Sequence, residues 1–456
     1  MRTIFITIFE GIESKNILRT DILSTLLKQD GVRIVLLTKN QERIRYHQQE
    51  FNDPRILYEV VPVIAVKGLD AVFRKLKFLL LRTETMAMRR RTRYREQGGF
   101  VSYLGGSLFN FIFARPPIRR VVRALDYLLV KNNTFSELFD RYHPDIVVMA
   151  GLFDEQELHL LRETRHQGVY AVGFINSWDR VTARCILRLL PDSFVVFNRR
   201  TKEEIKEHDE ANENNIFVGG IPQYDRYVHI TPLPRDHFFK KLGISANTKL
   251  LVYSPIGSSY GRADWDIIDL LYQLNGQEQF GKNIAILVRF PPNDFVSQDE
   301  IRKRPHLLYD HPGVRFSASR GVDWDMTTQE LEYLTNTLHH MSLLVCYASS
   351  ISVDAAMLDR PVINLIFQVK DNISEIKSVK DFYPMAHYRS VLESGGVRLV
   401  GSEEELITWV KTYLADPARD HEGRMRLAKE QCEFLDGKSG ERIGRFILEK
   451  LATSAQ

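Results

Sequence analysis

Short runs of apolar residues alternate along the chain with longer segments whose apolar residues recur at helical spacing. An apolar run without polar alternation is typical of a strand that is buried on both faces of a parallel sheet. Such runs lie at residues 3–9, 32–38, 146–150, 169–175, 193–197, 249–254, 284–289, 343–347 and 362–367. Segments with helical spacing lie between most of them. The alternation predicts right-handed βαβ units and an α/β fold.

The clearest of these units is residues 343–367, which are predicted to form a strand, a turn, a helix and a second strand. Ala348, Ser349 and Ser350 are small residues in the turn, so backbone N–H groups are expected to be accessible there. Asp354 lies in the first predicted helical turn, where the helix dipole favours a carboxylate. Such a turn lies at the carboxyl edge of a parallel sheet, where open α/β folds bind ligands. The alternative is an ordinary βαβ unit with a serine-containing turn.

The length of 456 residues corresponds to roughly two to four domains. Residues 230–236, ITPLPRD, contain two prolines and form the best candidate linker. We therefore expect an N-terminal Rossmann-like domain at residues 1–230 and a C-terminal one at 231–456, each with an open parallel sheet. The last helix is a candidate to pack back on the N-terminal domain.

Residues 73–130 interrupt the βα alternation with a basic and aromatic segment. Its apolar run is broken by glycines and is too short for the roughly 20 residues of a membrane-spanning helix. The segment 82–123 contains ten arginines: Arg82, Arg89, Arg90, Arg91, Arg93, Arg95, Arg115, Arg119, Arg120 and Arg123. Arginines interleaved with exposed aromatic residues are typical of a protein that lies on an anionic membrane surface.

From this segment we predict peripheral attachment to the cytoplasmic face of the membrane. The aliphatic content fits nucleic acid less well, so no nucleic-acid partner is expected. The alternative is a helical excursion whose apolar side belongs to the core and whose arginines are solvated.

The composition is that of an ordinary soluble enzyme, with 44% hydrophobic and 26% charged residues. A formal net charge of +4 is too small to indicate nucleic-acid binding by itself. Cys185, Cys346 and Cys432 are far apart in the sequence, which argues against a disulfide framework and fits a reducing cytoplasm. The first strand passes into a loop too early for a signal peptide, so export is not expected.

Several catalytic motifs are absent from the sequence. The thirteen histidines have no HxxxH or HxH spacing, and no P-loop or GxSxG motif occurs, so zinc, NTPase and hydrolase functions lack their residues. Two Asp-Trp-Asp triplets, at 264–266 and 323–325, invite comparison with a metal-binding DxD motif. Asp264 and Asp325 are better explained by helices that begin beside them. We expect no metal ion and no cofactor.

Five segments carry a resemblance to a known superfamily. They are NSWDRVT at 176–182, VGGIPQYDRY at 218–227, YASSISVDAAMLDRPVINLIF at 347–367, HYRSVLESGGVRLVGSEEELI at 387–407 and DGKSGERI at 436–443. With the two predicted sheets, they resemble the GT-B superfamily of nucleotide-sugar glycosyltransferases. More narrowly, they resemble bacterial surface-carbohydrate transferases that grade into the CDP-glycerol glycerophosphotransferase group.

The resemblance implies two Rossmann-like domains that face each other across a cleft, with the nucleotide donor on the C-terminal domain and the acceptor on the N-terminal domain. A diphosphate leaving group needs N–H donors, hydroxyls and cations around its developing charge. Asp354 is expected to accept hydrogen bonds from ribose hydroxyls. The candidate donor-binding residues are Gly257, Ser258, Ser259, Arg289, Ser349, Ser350 and Asp354.

An inverting transfer also needs a general base that takes the proton of the acceptor hydroxyl. The acids at predicted sheet edges of the N-terminal domain are Glu10, Glu13, Asp154 and Asp179. Asp179 is preferred because the neighbouring Trp178 can pack on a sugar or partly desolvate the carboxylate. Asp154 is the second candidate and Glu10 is the next.

We therefore expect a metal-independent glycosyltransferase that moves a sugar from a nucleotide-sugar donor to a glycan or lipid-linked acceptor of a bacterial surface polysaccharide. Three alternatives remain open. The chain could be a CDP-glycerol-type glycerophosphotransferase, a 2-epimerase-like enzyme on the same scaffold, or a non-catalytic carbohydrate-binding protein. The epimerase would not need the basic aromatic segment, and the binding protein would lack turnover.

Overall fold

The computed structural model describes residues 1–258, 263–316, 323–370 and 379–453. The chain forms two compact units, Met1–Asp225 together with Cys432–Gln456, and Arg226–Gln431. Each unit is built on an open parallel sheet, which confirms the predicted fold class of two Rossmann-like α/β domains.

Seven strands form the sheet of the first unit in the described residues. They are β1 (Arg2–Thr7), β2 (Val32–Thr38), β3 (Ile56–Val60), β4 (Ile146–Met149), β5 (Tyr170–Phe174), β6 (Ser193–Val196) and β7 (Ile216–Val218). They pair in parallel in the order β3-β2-β1-β4-β5-β6-β7. Phe5 packs in the apolar cluster of one face, and its neighbours Ile4 and Ile6 pack in the cluster of the other. This explains why most positions of these strands are apolar.

The helices of the first 225 residues connect these strands. They are α1 (Gly11–Ile17), α2 (Asp21–Lys28), α3 (Gln41–Gln48), α4 (Gly68–Leu79), α5 (Glu84–Gln97), α6 (Phe100–Phe113), α7 (Pro116–Leu129), α8 (Ser136–Tyr142), α9 (Glu155–His166), α10 (Arg180–Ala183) and α11 (Arg199–Asp209). Helices α4 to α7 form the basic aromatic excursion between β3 and β4. No helix in the described parts of the chain is both long and apolar enough to cross a bilayer.

Buried ion pairs hold the excursion to the rest of the first unit. Asp126 of α7 accepts hydrogen bonds from Arg162 at 2.7 Å and from Arg188 at 2.6 Å. Arg123 donates to Asp209 at 2.8 Å, and all five side chains are buried. Breaking such a pair leaves an uncompensated charge, which costs about 3–5 kcal/mol. These ion pairs hold α7, the last helix of the excursion, against the rest of the unit.

This network corrects one part of the expectation for residues 82–123. Arg119 and Arg123 are buried, and both form ion pairs with Glu210. They stabilise the fold and do not belong to a surface-facing set of arginines.

The second unit contains, in its described residues, a six-stranded parallel sheet and a small antiparallel pair. The strands are β8 (Lys249–Ser254), β9 (Ile284–Arg289), β10 (Tyr309–Asp310), β11 (Val314–Arg315), β12 (Trp324–Asp325), β13 (Leu343–Cys346), β14 (Val362–Leu365) and β15 (Arg398–Val400). The parallel order is β10-β9-β8-β13-β14-β15, and β11 pairs with β12. Asp325 thus lies in a strand, while Thr327 caps the following helix in a capping box with Glu330.

The helices of the second unit follow the same βα alternation. They are α12 (Arg226–His229), α13 (Arg235–Lys241), α14 (Ala263–Gly276), α15 (Gln298–Arg302), α16 (Thr328–His340), α17 (Ile351–Met357), α18 (Ala386–Glu393), α19 (Glu403–Ala415) and α20 (His421–Cys432).

The last helix, α21 (Ser439–Thr453), belongs to the first unit and packs on α2. Gly444 permits a close approach, because a Cβ there would lie 2.7 Å from the Cβ of Thr25. Phe446 stacks on Phe217 with ring centroids 4.3 Å apart. The chain therefore returns to its first unit after completing the second.

Candidate functional site

The first candidate site lies in the second unit, at the carboxyl edge of β8 and β13. These strands are neighbours in the sheet, and the chain continues from them toward opposite sides. Such a topological switch point is where open α/β sheets bind ligands. The structure brings the turn of Gly257 and Ser258, after β8, to the same edge as Ser349 and Ser350, after β13.

The buried carboxylate of Asp264 stabilises the turn that follows β8. The carboxylate of Asp264 accepts hydrogen bonds from the Tyr253 hydroxyl at 2.7 Å and from the amides of Ile256 at 2.9 Å and Gly257 at 2.8 Å. Gly257 has a φ of 105°, which favours glycine. The Gly257 N–H therefore already donates a hydrogen bond to Asp264. Burial raises the pKa of Asp264, although its hydrogen bonds oppose that shift.

Ser258 is anchored to the loop that follows β9. Its amide and hydroxyl donate to the two carboxylate oxygens of Asp294, at 2.5 and 2.6 Å. The Ser258 oxygen can still accept a hydrogen bond, but its proton is directed at Asp294. Ser259, the third small residue proposed for this turn, lies outside the described residues.

Arg289 and Asp354 are both buried at this edge. Arg289 ends β9 and pairs with Asp310. Asp354, in the first turn of α17, accepts a hydrogen bond from the Tyr227 hydroxyl at 2.5 Å. Burial lowers the pKa of Arg289 to about 10. Burial and the neighbouring Asp354 raise the pKa of Tyr227, so the phenol keeps its proton.

Ser349 and Ser350 are accessible candidate residues at this edge, as is the exposed Ser258. Ser349 is half-buried and Ser350 is exposed at the N-cap position of α17, where its side chain makes no capping hydrogen bond. A buried network lies beneath them. The Tyr388 hydroxyl donates to Asn364 at 2.7 Å and lies 3.1 Å from the Ser352 hydroxyl. Ser352 therefore supports the turn from below.

The second candidate site lies in the first unit, at the carboxyl edge of β1 and β4. These strands are also adjacent at a switch point. The acids proposed from the sequence follow three strands of this sheet, Glu10 after β1, Asp154 after β4 and Asp179 after β5. The fold therefore brings all three to one edge.

The three acids differ in their hydrogen-bond and ion-pair partners. Asp154 caps α9 by accepting from the amide of Gln156 at 2.8 Å, and it forms an ion pair with Lys39 at 2.8 Å. Glu10 forms an ion pair with Arg180 at 3.1 Å. Asp179 accepts a hydrogen bond from the hydroxyl of Ser177, two residues earlier, at 2.6 Å.

Two further carboxyl groups, Glu13 and Glu157, are buried beneath this edge. Glu13 accepts from the amide of Phe9 at 2.5 Å, and Glu157 accepts from the amide of Gly151 at 3.0 Å. Their other oxygens converge on Gly151, since a Cβ there would lie 2.8 Å from Glu13 and 3.4 Å from Glu157. Burial raises the pKa of Glu13 to about 8, and burial followed by the charge of Glu13 raises that of Glu157.

The sequence offered weak signals for the supporting residues at both edges. Lys39 directly follows β2, Glu157 lies in the helix after β4, and Asp294 lies in the loop after β9. Each could have been found by collecting the polar residues that follow predicted strands. The pairings of Asp294 with Ser258 and of Tyr227 with Asp354 have no such signal, because they join distant parts of the second unit. In the described residues, no three His, Cys, Asp or Glu side chains form a group that could hold a metal ion.

The raised pKa of Glu13 predicts a pH-dependent stability. A carboxyl whose folded pKa of about 8 lies above its ordinary 4.5 favours the folded state below pH 4.5, and this contribution is lost between pH 4.5 and 8. In Glu13→Gln this loss of stability should not occur, because glutamine does not ionise. The difference in melting temperature between the variant and wild type should therefore shift in favour of the variant as the pH rises from 5 to 8. Thermal unfolding at several pH values measures this, with Glu42→Gln, at an exposed position of α3, as the control. Parallel pH curves for wild type and Glu13→Gln would contradict the prediction.

Comparisons with known proteins identify a family and a fold. Residues 188–449 match the family model described as CDP-Glycerol:Poly(glycerophosphate) glycerophosphotransferase. None of the curated proteins compared is significantly similar to the chain.

Solved structures with the same architecture share little sequence identity with the chain. A putative UDP-N-acetylglucosamine 2-epimerase from Listeria monocytogenes has a TM-score of 0.56 at 11% identity, covering 99% of this chain and 97% of the other. UDP-GlcNAc 2-epimerase from Neisseria meningitidis, bound to UDP-GlcNAc, has a TM-score of 0.53 at 11% identity, covering 98% and 100%. The wall teichoic acid polymerase TagF has a TM-score of 0.51 at 13% identity, covering 100% and 90%. These similarities confirm the GT-B fold class.

Proposed function

The chain belongs to the CDP-glycerol:poly(glycerophosphate) glycerophosphotransferase family, and on this premise we propose that it is a transferase of surface-polymer synthesis that uses a nucleotide-activated donor. In the first of two candidate reactions, the donor is a nucleotide sugar. The acceptor is a hydroxyl of a glycan or of a lipid-linked precursor. The observation that carries the proposal is the set of hydroxyl side chains at the β8/β13 switch point, with Arg289 at the end of the neighbouring strand β9.

The donor diphosphate would lie against Ser349 and Ser350, which are accessible, while Ser258 can accept a hydrogen bond from the donor. Arg289 supplies a buried positive charge near this edge. As the bond between donor phosphate and sugar breaks, negative charge grows on the leaving nucleotide diphosphate. Fixed donors and a cation in a partly dry site stabilise such charge more strongly than water does. Asp354 is the proposed ribose acceptor; its partner Tyr227 fixes the orientation of the carboxylate.

The acceptor hydroxyl would be deprotonated at the β1/β4 edge of the first unit. The acceptor oxygen forms the new bond to the anomeric carbon, the nucleotide diphosphate leaves with the old bonding pair, and the base takes the hydroxyl proton. Asp179 is the proposed base. Asp154 and Glu10 already serve as partners of Lys39 and Arg180.

A second candidate, glycerophosphate transfer from CDP-glycerol, is favoured by the family match over residues 188–449. In that reaction the acceptor oxygen attacks the donor phosphorus and CMP leaves. The same base, the same hydroxyl side chains and Arg289 would serve, because the charge again grows on a phosphate.

A donor panel tests the proposal and separates the two candidates. Thermal unfolding is measured with UDP, CDP, UDP-sugars, CDP-glycerol and adenosine as a neutral control, since a ligand that binds only the folded state must raise the melting temperature. Stabilisation by a nucleotide sugar supports glycosyl transfer, and selective stabilisation by CDP-glycerol supports the second candidate. Product analysis without an acceptor would detect epimerisation. No response to any nucleotide would overturn the donor-site proposal and favour a binding protein.

The proposed place of action is the cytoplasmic face of the membrane, through helices α6 and α7. Both helices expose large apolar side chains, which is unusual for a soluble surface. These are Phe100, Val101, Leu104, Leu108, Phe111, Ile112, Phe113, Ile118, Val121, Leu125, Leu128 and Leu129. The surrounding arginines Arg82, Arg91, Arg93, Arg95, Arg115 and Arg120 are exposed as well. Exposed apolar side chains and exposed arginines in one segment match an anionic lipid surface.

We expect Arg91→Glu with Arg93→Glu to weaken binding to anionic vesicles. Each arginine near an anionic surface contributes about 1 kcal/mol, so losing two weakens partition roughly thirty-fold before the repulsion of the new acids is added. Co-sedimentation with phosphatidylserine-containing and neutral vesicles at several salt concentrations measures this.

The matched control is Lys28→Glu with Arg45→Glu, which makes the same charge change on other exposed helices of the first unit. Its binding should stay near that of wild type. A loss as large in the control as in the α5 variant, or equal partition of wild type to both vesicle types, would show that the arginines are only solvated.

A further inference from the structure

A cavity of the second unit lies at the amino edge of its sheet. Its volume is about 330 Å³, and it is lined by Lys249, the first residue of β8, and by Ser342, which directly precedes β13. Ser349 and Ser350 follow the opposite ends of these strands. Because β8 has six residues, the two edges are roughly 17 Å apart. The cavity is therefore separate from the proposed donor site.

Basic side chains dominate this cavity. They are the permanently charged Arg235, Lys249 and Arg360 and the imidazoles of His339 and His340. The remaining lining residues are apolar or carry hydroxyl or thioether groups, and no carboxylate side chain is among the described residues that line it. Burial, followed by its neighbours His340 and Arg360, lowers the pKa of His339. A positive potential in the cavity is consistent with that shift.

Part of the positive charge stabilises helix ends. Arg235 donates to the carbonyl of His340 at 3.1 Å, and Arg360 donates to that of His339, both at the end of α16. Lys249 donates to the carbonyl of Leu414, in the last turn of α19, at 2.8 Å. Each helix end carries about half a negative charge. The two ends therefore offset about one of the three permanent positive charges, and about two remain.

The charge of Asp359 acts on Arg360, but this carboxylate is shared with other basic side chains. Asp359, which precedes Arg360, already accepts hydrogen bonds from Arg424 at 2.7 Å and from His421 at 2.8 Å. The Nε of Arg360 is buried and has no hydrogen-bond partner. A buried donor without a partner costs about 1–3 kcal/mol, and a bound anion near the guanidinium would reduce the electrostatic cost of this arrangement.

We propose that this cavity binds a small phosphate-bearing anion, with Arg360 and Lys249 as its main charged partners. Guanidinium and ammonium groups form charge-assisted hydrogen bonds with phosphate oxygens. A volume of about 330 Å³ lies at the small end of ligand pockets, so a short phosphate ester fits better than a nucleotide. The site does not depend on the identity of the donor.

The test is isothermal titration of the full chain with inorganic phosphate, with glycerol 3-phosphate and with uncharged glycerol. We expect both phosphates, but not glycerol, to bind wild type, and the stronger of the two identifies a free phosphate or an ester as the ligand. Arg360→Gln should weaken that binding about tenfold or more. Arg302→Gln changes an exposed arginine of the same unit outside the cavity, and it should bind like wild type.

The variant Ser349→Leu with Ser350→Leu distinguishes this site from the donor site, because it should keep the phosphate response. If Arg360→Gln does not fold, as judged by its melting transition, Lys249→Gln and His339→Gln replace it. Absence of phosphate binding in wild type, unchanged affinity in the folded cavity variants, or loss of the response in the Ser349/Ser350 variant would each overturn the proposal.

Discussion

Replacing Ser349 and Ser350 together with leucine is expected to abolish nucleotide binding while the chain stays folded. Both residues lie in the turn between β13 and α17, at the switch point of the second sheet, and Ser350 is exposed. Two leucines would fill the space next to the turn and remove both hydroxyls. We expect the affinity for the nucleotide identified by the donor panel to fall at least about a hundredfold, which is near 2.7 kcal/mol.

A second variant separates lost space from lost hydrogen bonds. Ser349→Ala with Ser350→Ala keeps the room for a diphosphate and removes only the hydroxyls, so its affinity should lie between those of wild type and the leucine variant. Melting temperatures without nucleotide should stay close to that of wild type, because the supporting network of Ser352, Asn364 and Tyr388 is untouched. Unchanged nucleotide affinity in a folded leucine variant would refute the proposed position of the donor.

Asp179→Asn is expected to reduce turnover by roughly 10²–10⁴ while donor binding stays intact. The amide cannot take the proton of the acceptor hydroxyl, although it keeps the size of the side chain and an oxygen that can accept from Ser177. Turnover is measured as transfer to the acceptor, and donor affinity is measured separately by titration. The pH profile of the variant should also lose the acidic limb that reports the base.

Asp154→Asn is the comparison for this experiment. Asp154 caps α9 and pairs with Lys39, so its loss should lower the melting temperature as well as any rate. If Asp154→Asn alone shows the large fall in turnover with donor binding intact, Asp154 is the base. If both variants keep near-normal rates, the base lies elsewhere, and Glu10 is the next residue to test.

The alternation of apolar runs and helical segments was sufficient to predict two parallel α/β sheets. Strands such as β1 and β13 are buried on both faces, so most of their positions are apolar and the pattern is readable without tertiary information. The same reading placed Glu10, Asp154, Asp179, Ser349 and Ser350 at strand ends. In parallel sheets with right-handed crossovers, residues after the strands come to one edge.

The hydrogen-bond partners of the donor-site residues could not be predicted from this sequence pattern. The carboxylate of Asp264 accepts a hydrogen bond from the amide of Gly257, and that of Asp294 accepts from the amide and the hydroxyl of Ser258. Two residues proposed to bind the phosphates therefore already donate hydrogen bonds inside the protein. The acidic partners lie 7 and 36 residues further along the chain. Nothing in the local pattern of polar positions specifies such contacts.

By itself, the sequence determined the α/β class, the carboxyl-edge positions of the candidate residues and the basic aromatic character of residues 82–123, because each depends on local periodicity or composition. Only the tertiary structure decided which charges remain at the surface. It buried Arg119 and Arg123 in ion pairs with Asp209 and Glu210, and left the neighbouring Arg115 and Arg120 exposed. Burial of a charge depends on the partner that packing brings to it, and these partners are the last residue and the C-cap residue of α11, more than 80 residues away.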